Sequence, residues 1–170
     1  AEEMKNYYGL RARGGTALIT VENACIDYPL ATNGTKQLRI DKKQFIPGLY
    51  ELTERIHKYG ALASIQLNHA GASAYPERLN GLQSVSSSSI PSKEGNPAPR
   101  PLDKCEILNI VQKYAIAAQH AIQAGFDMVE IHGGHSYLLD QFLSPLYNKR
   151  TDEFGGSYEN RARFARLVVE

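Results

Sequence analysis

The sequence predicts an α/β fold built on parallel strands, and two observations carry that prediction. Along the chain, helix-patterned segments repeatedly end at a glycine and pass at once into a short apolar run of strand character. Repeated helix-to-strand connections of one or two residues imply parallel strands joined by crossover helices. The second observation is the asymmetry of the loops. They are minimal before each strand and long after it, covering about residues 23–43, 68–101 and 132–157. Long loops gathered at the C-terminal ends of parallel strands suit a TIM (β/α)8 barrel, whose chemistry sits on that face. An open doubly wound sheet also binds ligands at the carboxyl ends of its strands, so this asymmetry supports the barrel and leaves the open sheet as the alternative.

The first unit opens directly in helix, EEMKNYYGLRAR from Glu2 to Arg13, so the chain is expected to begin inside a domain. Gly14 and Gly15 stop that helix, and TALITVE (Thr16 to Glu22) follows as a strand. In the second unit Phe45, Leu49, Leu52 and Ile56 share one face of a helix over Gln44 to Tyr59; Gly60 stops it, and ALASIQL (Ala61 to Leu67) is the strand. The third helix is the best marked. Ile107, Ile110, Val111, Tyr114, Ala118, Ala121 and Ile122 fall at helical spacing and form a wide apolar stripe. Asp103 is its N-cap with Glu106 three residues on, Leu102 and Ile107 can staple across that cap, and Gly125 can close the helix in the left-handed conformation. FDMVEI (Phe126 to Ile131) is then the strand. These strands are too few to close an eight-stranded barrel, which typically takes about 250 residues. The expectation for residues 1–170 is therefore an incomplete barrel or an open sheet.

The middle long loop, QSVSSSSIPSKEGNPAPRP, is rich in Ser, Pro and Gly; lying between two well-formed units, it is expected to wrap the barrel mouth rather than act as a linker. Composition narrows the function. Basic and acidic residues nearly balance, 19 against 18, which gives no electrostatic footprint for nucleic acid or an anionic membrane surface. Cys25 and Cys105 are far apart and outside any C-x-x-C spacing, so neither a disulfide framework nor a metal–thiolate site is written here. No apolar run approaches the roughly 20 residues of a membrane helix, and no signal peptide opens the chain. A cytoplasmic protein is the expectation.

The polar residues at the strand ends are the candidates for chemistry. Period-two alternation puts Phe126, Met128, Glu130 and His132 on one face, so His132 ends its face at the active side of the strand. Gln66 ends the face of ALASIQL, and Glu22 and Asn23 end TALITVE. An amide at such a position can both donate and accept, which suits the edge of a flat heterocycle. Beyond His132 come Gly133, Gly134, His135, Ser136 and Tyr137, a turn that can bring both imidazoles to one place. Three readings compete. The histidines satisfy backbone groups in a loop; or they bind a metal, for which a third protein ligand is missing; or they are a donor pair for a substrate oxygen, with Tyr137 as a nearby proton donor. A tyrosine is ordinarily protonated at neutral pH and can serve as the acid without retuning.

AGFDMVEIHGGHSYLLDQFLSPLYNKRTDEFGGSYENRARF (Ala124 to Phe164) closely resembles a segment of flavin reductases of the old yellow enzyme family, in the NADH:flavin oxidoreductase, enoate reductase and dienoyl-CoA reductase branches. The resemblance extends back through SIQLNHAG, LITVE and NYYGLRARGG, and so covers nearly the whole chain in order. It implies a TIM barrel of which about strands two to four are present, without the first strand or the C-terminal half, and FMN held at the C-terminal face. It further implies that His132 and His135 bind the carbonyl of an unsaturated substrate and that Tyr137 protonates its α-carbon. Gln66 then contacts the flavin pyrimidine edge, and Asn23 stands against the flavin where many members carry a small residue. Ala72 departs from the family in replacing an arginine, and the family's flavin-tuning cysteine lies on a strand outside these residues, so Cys25 is read as an ordinary small residue. The implied reductant is NADH or NADPH and the implied partner an enone, enoate or enoyl-CoA, with no nucleic acid and no membrane. The resemblance also admits an iron–sulfur cluster and FAD in a longer parent protein, and a homo-oligomer. Another barrel activity, a lyase or aldolase, would call for a Schiff-base lysine or a metal cluster, and no lysine stands at a strand end; a catalytically inert piece is the remaining alternative. The NKRTDEFGGSYENR loop is expected to be structural, with Ser157 as a helix N-cap and Arg150–Asp152 and Glu159–Arg163 as ion pairs.

Overall fold

The computed structural model describes residues 2–170. The main elements are α1 (Glu2–Arg13), β1 (Leu18–Cys25), β2 (Leu38–Arg39), α2 (Ile46–His57), β3 (Leu62–Asn68), β4 (Val85–Ser86), β5 (Arg100–Pro101), α3 (Lys104–Gln123), β6 (Met128–Ile131), α4 (Leu138–Leu143) and α5 (Tyr158–Val169). Strands β2, β1, β3 and β6 form one sheet in that order, all pairs parallel. The helix–glycine–strand units read from the sequence are thus β1, β3 and β6 with their preceding helices. The short β2 lies inside the first long loop and pairs with the end of β1, an addition that its two residues could not announce by periodicity.

Alternation along β1 and the start of β3 separates a covered face from an open one, whereas in the edge strand β6 Met128, Val129 and Glu130 are all exposed. Ile19, Val21, Ala63, Ile65 and Leu67 are buried in the core, whereas Leu18, Glu22, Leu62, Met128 and Glu130 are exposed. Helices α1, α2 and α3 pack against these strands on the covered side. One helix-covered face and one bare face describe the wall of a barrel; a doubly wound sheet would carry helices on both. Each Ile or Leu on the covered face contributes about 1.5–3 kcal/mol relative to exposure.

The expected termini of α3 are present. The Asp103 carboxylate accepts from the Glu106 N–H, the Glu106 carboxylate accepts from the Asp103 N–H, and Leu102 and Ile107 are both buried beside this capping box. Gly125 adopts φ +80, and a Cβ there would lie 2.9 Å from Thr53 Oγ1, so the turn requires glycine on two grounds. Phe126 precedes β6 and packs in the core, off the open face that simple alternation assigned to it; the strand pairing begins only at Met128. Ser157 caps α5 by accepting from the Asn160 N–H, as expected. The Arg150–Asp152 pair forms, but Glu159–Arg163 does not: the Arg163 guanidinium turns instead to the Glu153 carbonyl at 2.8 Å and Asn160 Oδ1 at 2.9 Å. A backbone acceptor and a near side chain outcompete an exposed i,i+4 pair worth only a few tenths of a kcal/mol.

Candidate functional site

The site forms where β6 ends. His132 closes the strand's last backbone bond by donating its N–H to the Leu67 carbonyl at 3.0 Å, and the chain then turns through Gly133 and Gly134. His135 and Ser136 take φ of +56° and +55°, left-handed values that cost a residue with a Cβ about 1–2 kcal/mol. Several bonds hold this conformation in place. The Ser136 N–H donates to Asp140 Oδ2 at 2.8 Å, and its carbonyl accepts from Gln141 Nε2 at 2.5 Å and Ser73 Oγ at 3.0 Å.

The result is a cluster of three rings. His132 and His135 have centroids 5.1 Å apart, His132 and Tyr137 4.8 Å, and His135 and Tyr137 6.4 Å, each pair edge to face. His132 is buried. Burial first, and the neighbouring His135 second, hold its imidazole below the ordinary value of 6.5, so it is neutral at neutral pH. Its Nδ1 accepts the Gly134 N–H at 3.3 Å, which leaves the proton on Nε2, 3.3 Å from His135 Nδ1. That N–H is directed at His135 Nδ1, and a substrate oxygen lodged beside the pair would take it in place of His135. His135 and Tyr137 open onto a cavity of about 400 Å³, whose other walls include Asn33, Ser73, Tyr75 and Lys93.

Gln66 and Asn23 approach the same end from neighbouring strands. Gln66 lies opposite Glu130 in the register of β3 and β6, and its Nε2 donates to the Glu130 carboxylate. Asn23 sits at a bulge: Val21 pairs with Ile65 but Ala24 with Leu67, so β1 carries one extra residue across Glu22 and Asn23. The Asn23 carbonyl oxygen accepts from Gln37 Nε2. Gln37 Oε1 in turn accepts the Asn33 N–H at 2.9 Å, and Asn33 Nδ2 donates to the Tyr137 hydroxyl at 2.6 Å. The bulge residue and the tyrosine are therefore joined through two side chains of the first long loop.

Asn33, Gln37 and Gln141 were not legible as site residues. Asn33 and Tyr137 stand 104 positions apart, and Asn33-Gly34 reads locally as a turn. Gln141 follows Asp140 in the short helix α4, where a second polar residue gives no local signal of burial. It is fully buried and bonds through both amide atoms, accepting from the Ala72 N–H at 3.0 Å and Ser86 Oγ at 2.8 Å and donating to the Ala70 and Ser136 carbonyls. Ala72 is itself buried against this amide. Cys25 is buried and its thiol pushed up to about 12 by desolvation, the condition of an inert core residue. Among the described residues no group of three or more His, Cys, Asp or Glu is placed to hold a metal ion, and no helix is long and apolar enough to cross a membrane.

Comparison with known proteins bears on the chain as a whole. The sequence model of the NADH:flavin oxidoreductase / NADH oxidase family matches residues 1–170. The chain is 44% identical over 169 residues to an NADH oxidase of Thermoanaerobacter brockii, covering 99% of the chain and 26% of that protein. It is 42% identical to an NADPH dehydrogenase of Clostridium acetobutylicum, covering 96% of the chain and 47% of that protein. Among solved structures it superposes on morphinone reductase with a TM-score of 0.90 at 34% identity, covering 99% of the chain and 49% of that protein. Old Yellow Enzyme from Pichia sp. AKU4542 gives a TM-score of 0.92 at 34% identity, with 99% and 46% covered. Morphinone reductase has also been solved in complex with tetrahydroNAD. The chain thus spans less than half the length of each of these relatives.

Proposed function

The chain belongs to the NADH:flavin oxidoreductase / NADH oxidase family, and on that premise we propose that its parent protein is an FMN-dependent oxidoreductase that reduces the activated C=C bond of an enone, enoate or enoyl-CoA type substrate. We propose further that residues 1–170 supply β1, β3 and β6 as three strands of the FMN barrel, the remainder coming from other parts of the parent. The observation that carries the reading is the ring cluster of His132, His135 and Tyr137 at the end of β6, with His135 and Tyr137 facing the cavity and the buried His132 packed against both.

The donor set fits the flavin. Gln66 presents an amide at the C-terminal end of the open sheet face, and an amide matches a pyrimidine edge that alternates carbonyl and N–H groups. Asn23 stands at the same end with its carbonyl oxygen committed to Gln37, leaving its amide N–H groups as the polar face it can offer. When bound and reduced by NADH or NADPH, FMN would supply hydride chemistry at the β-carbon. The residues of this chain do the rest. His132, held neutral with its proton on Nε2, and His135 donate to the substrate carbonyl and draw charge onto it. Tyr137 gives its hydroxyl proton to the α-carbon, so that one hydride and one proton saturate the double bond.

The test is a visible spectrum of the protein expressed from its full reading frame. Flavin bands that bleach anaerobically with NADH or NADPH and return on adding an enone support the reading. A colourless protein that gains no flavin absorbance from FMN sinks it. So does a reduced flavin that enones and enoates leave reduced.

A further inference from the structure

We infer that Asn33 is the positioning residue for the proton-transfer step, orienting the Tyr137 hydroxyl and stabilising the phenolate it leaves. The inference rests on the reading of Tyr137 as the proton donor. Asn33 Nδ2 donates to the Tyr137 hydroxyl at 2.6 Å, so the amide occupies a lone pair of that oxygen and makes no claim on its hydrogen. Among the described residues no acceptor takes the Tyr137 hydroxyl hydrogen, and the group lines the cavity beside His135. A phenol held from one side by a donor presents its own proton to the other. When the proton leaves for the α-carbon, the oxygen becomes anionic and the same N–H becomes a charge-assisted donor, stronger after transfer than before. A proton from solvent then restores the phenol through the open cavity.

The loop that carries Asn33 is built to hold the amide still. The Asn33 N–H donates to Gln37 Oε1 at 2.9 Å, the Thr32 carbonyl accepts the Tyr75 N–H at 2.8 Å, and the Ala31 carbonyl accepts the Ala70 N–H at 3.1 Å. Ala31 and Thr32 are buried. The donor therefore needs little reorganisation at the moment of transfer, the condition under which one hydrogen bond counts most.

The experiment compares Asn33→Ala, Asn33→Asp and Tyr137→Phe with wild type in the flavin-loaded, full-length protein. For each variant two rates are measured for the reduced protein, with an enone, which needs a proton delivered to carbon, and with ferricyanide, which does not. The dissociation constant of a saturated ketone is read separately from the flavin absorbance. Asn33→Ala is expected to lower the enone-to-ferricyanide ratio about ten- to hundredfold, with ketone affinity within about twofold because the histidine pair is untouched. Asn33→Asp is isosteric, keeps the backbone bond to Gln37, and lowers the ratio further, because a carboxylate accepts the tyrosine proton and aims it away from substrate. The inference is overturned if Tyr137→Phe lowers the ratio while both Asn33 variants stay within twofold of wild type, or if Asn33→Ala weakens ketone binding as much as it slows the enone. A Tyr137→Phe ratio equal to wild type removes the proton-donor reading itself, and this inference with it.

Discussion

Gly71→Ala strikes the amide hub that holds the site loop, and its cost can be worked from two separate contacts. Gly71 adopts φ +61, a left-handed value that alanine pays for at about 1–2 kcal/mol. A Cβ there would lie 2.3 Å from Gln141 Oε1, an overlap that only displacement of the buried amide can relieve. That displacement strips the Ala72 N–H of its acceptor, and an unsatisfied buried donor costs about 1–3 kcal/mol. The total is about 2–5 kcal/mol. In a Gln141→Ala background the overlap is gone and Gly71→Ala should cost only its backbone share of about 1–2 kcal/mol. A double-mutant cycle, read by urea unfolding of the full-length apoprotein, therefore shows less than the sum of the single effects, by about 1–3 kcal/mol. Equal costs of Gly71→Ala in the two backgrounds would refute the claim that the glycine is required by the glutamine.

Other outcomes follow from the same contacts. His69 is fully buried and, through desolvation, sits below its ordinary value of 6.5 despite the Asp27 carboxylate 3.8 Å away, and His132 is lowered likewise. Between the folded value and 6.5 the unfolded chain binds more protons, so stability falls as pH drops through that window, and His69→Gln flattens the slope. Burial works against ionising Asp27, but His69 and Lys113 outweigh it and hold its carboxyl below the ordinary 3.8; its contribution is present above that pH and lost only on further acidification. A loss of stability that begins near 6.5 and survives His69→Gln in full would contradict this assignment. Asp103→Ala removes the capping box of α3 and should cost about 1 kcal/mol in thermal or urea unfolding. Thr53→Val removes the 2.7 Å bond to the buried Ala124 carbonyl beside Gly125 and should cost about 1–2 kcal/mol by the same assay.

What the sequence disclosed and what it withheld divide by the range of the interaction. The capping box at Asp103 and Glu106, the left-handed stop at Gly125, the Ser157 cap and the placement of His132 at a strand end are all set within a few residues, and each was legible. The bulge across Glu22 and Asn23 was not, because it exists only as a mismatch between two strands. Asn33 and Gln141 were missed for the same reason: their partners are Tyr137 and the residues around Ala70 and Ser86. Glu159 and Arg163 show the opposite error, a local rule applied where a nearby backbone carbonyl was the better acceptor. Short spacing across a glycine turn singled out His132, His135 and Tyr137, while the choice among their roles came only from the family resemblance; the left-handed φ of His135 and Ser136 shows how that turn closes.

The central claim is that His132 and His135 act as paired donors to a substrate carbonyl. It is tested most directly by anaerobic stopped-flow reoxidation of the NAD(P)H-reduced full-length protein with an enone, comparing wild type with His132→Ala and His135→Ala. Removing one donor from such a pair is expected to slow reoxidation about 10²- to 10³-fold, while reoxidation by ferricyanide continues. Reoxidation by the enone at the wild-type rate in both variants would contradict the claim.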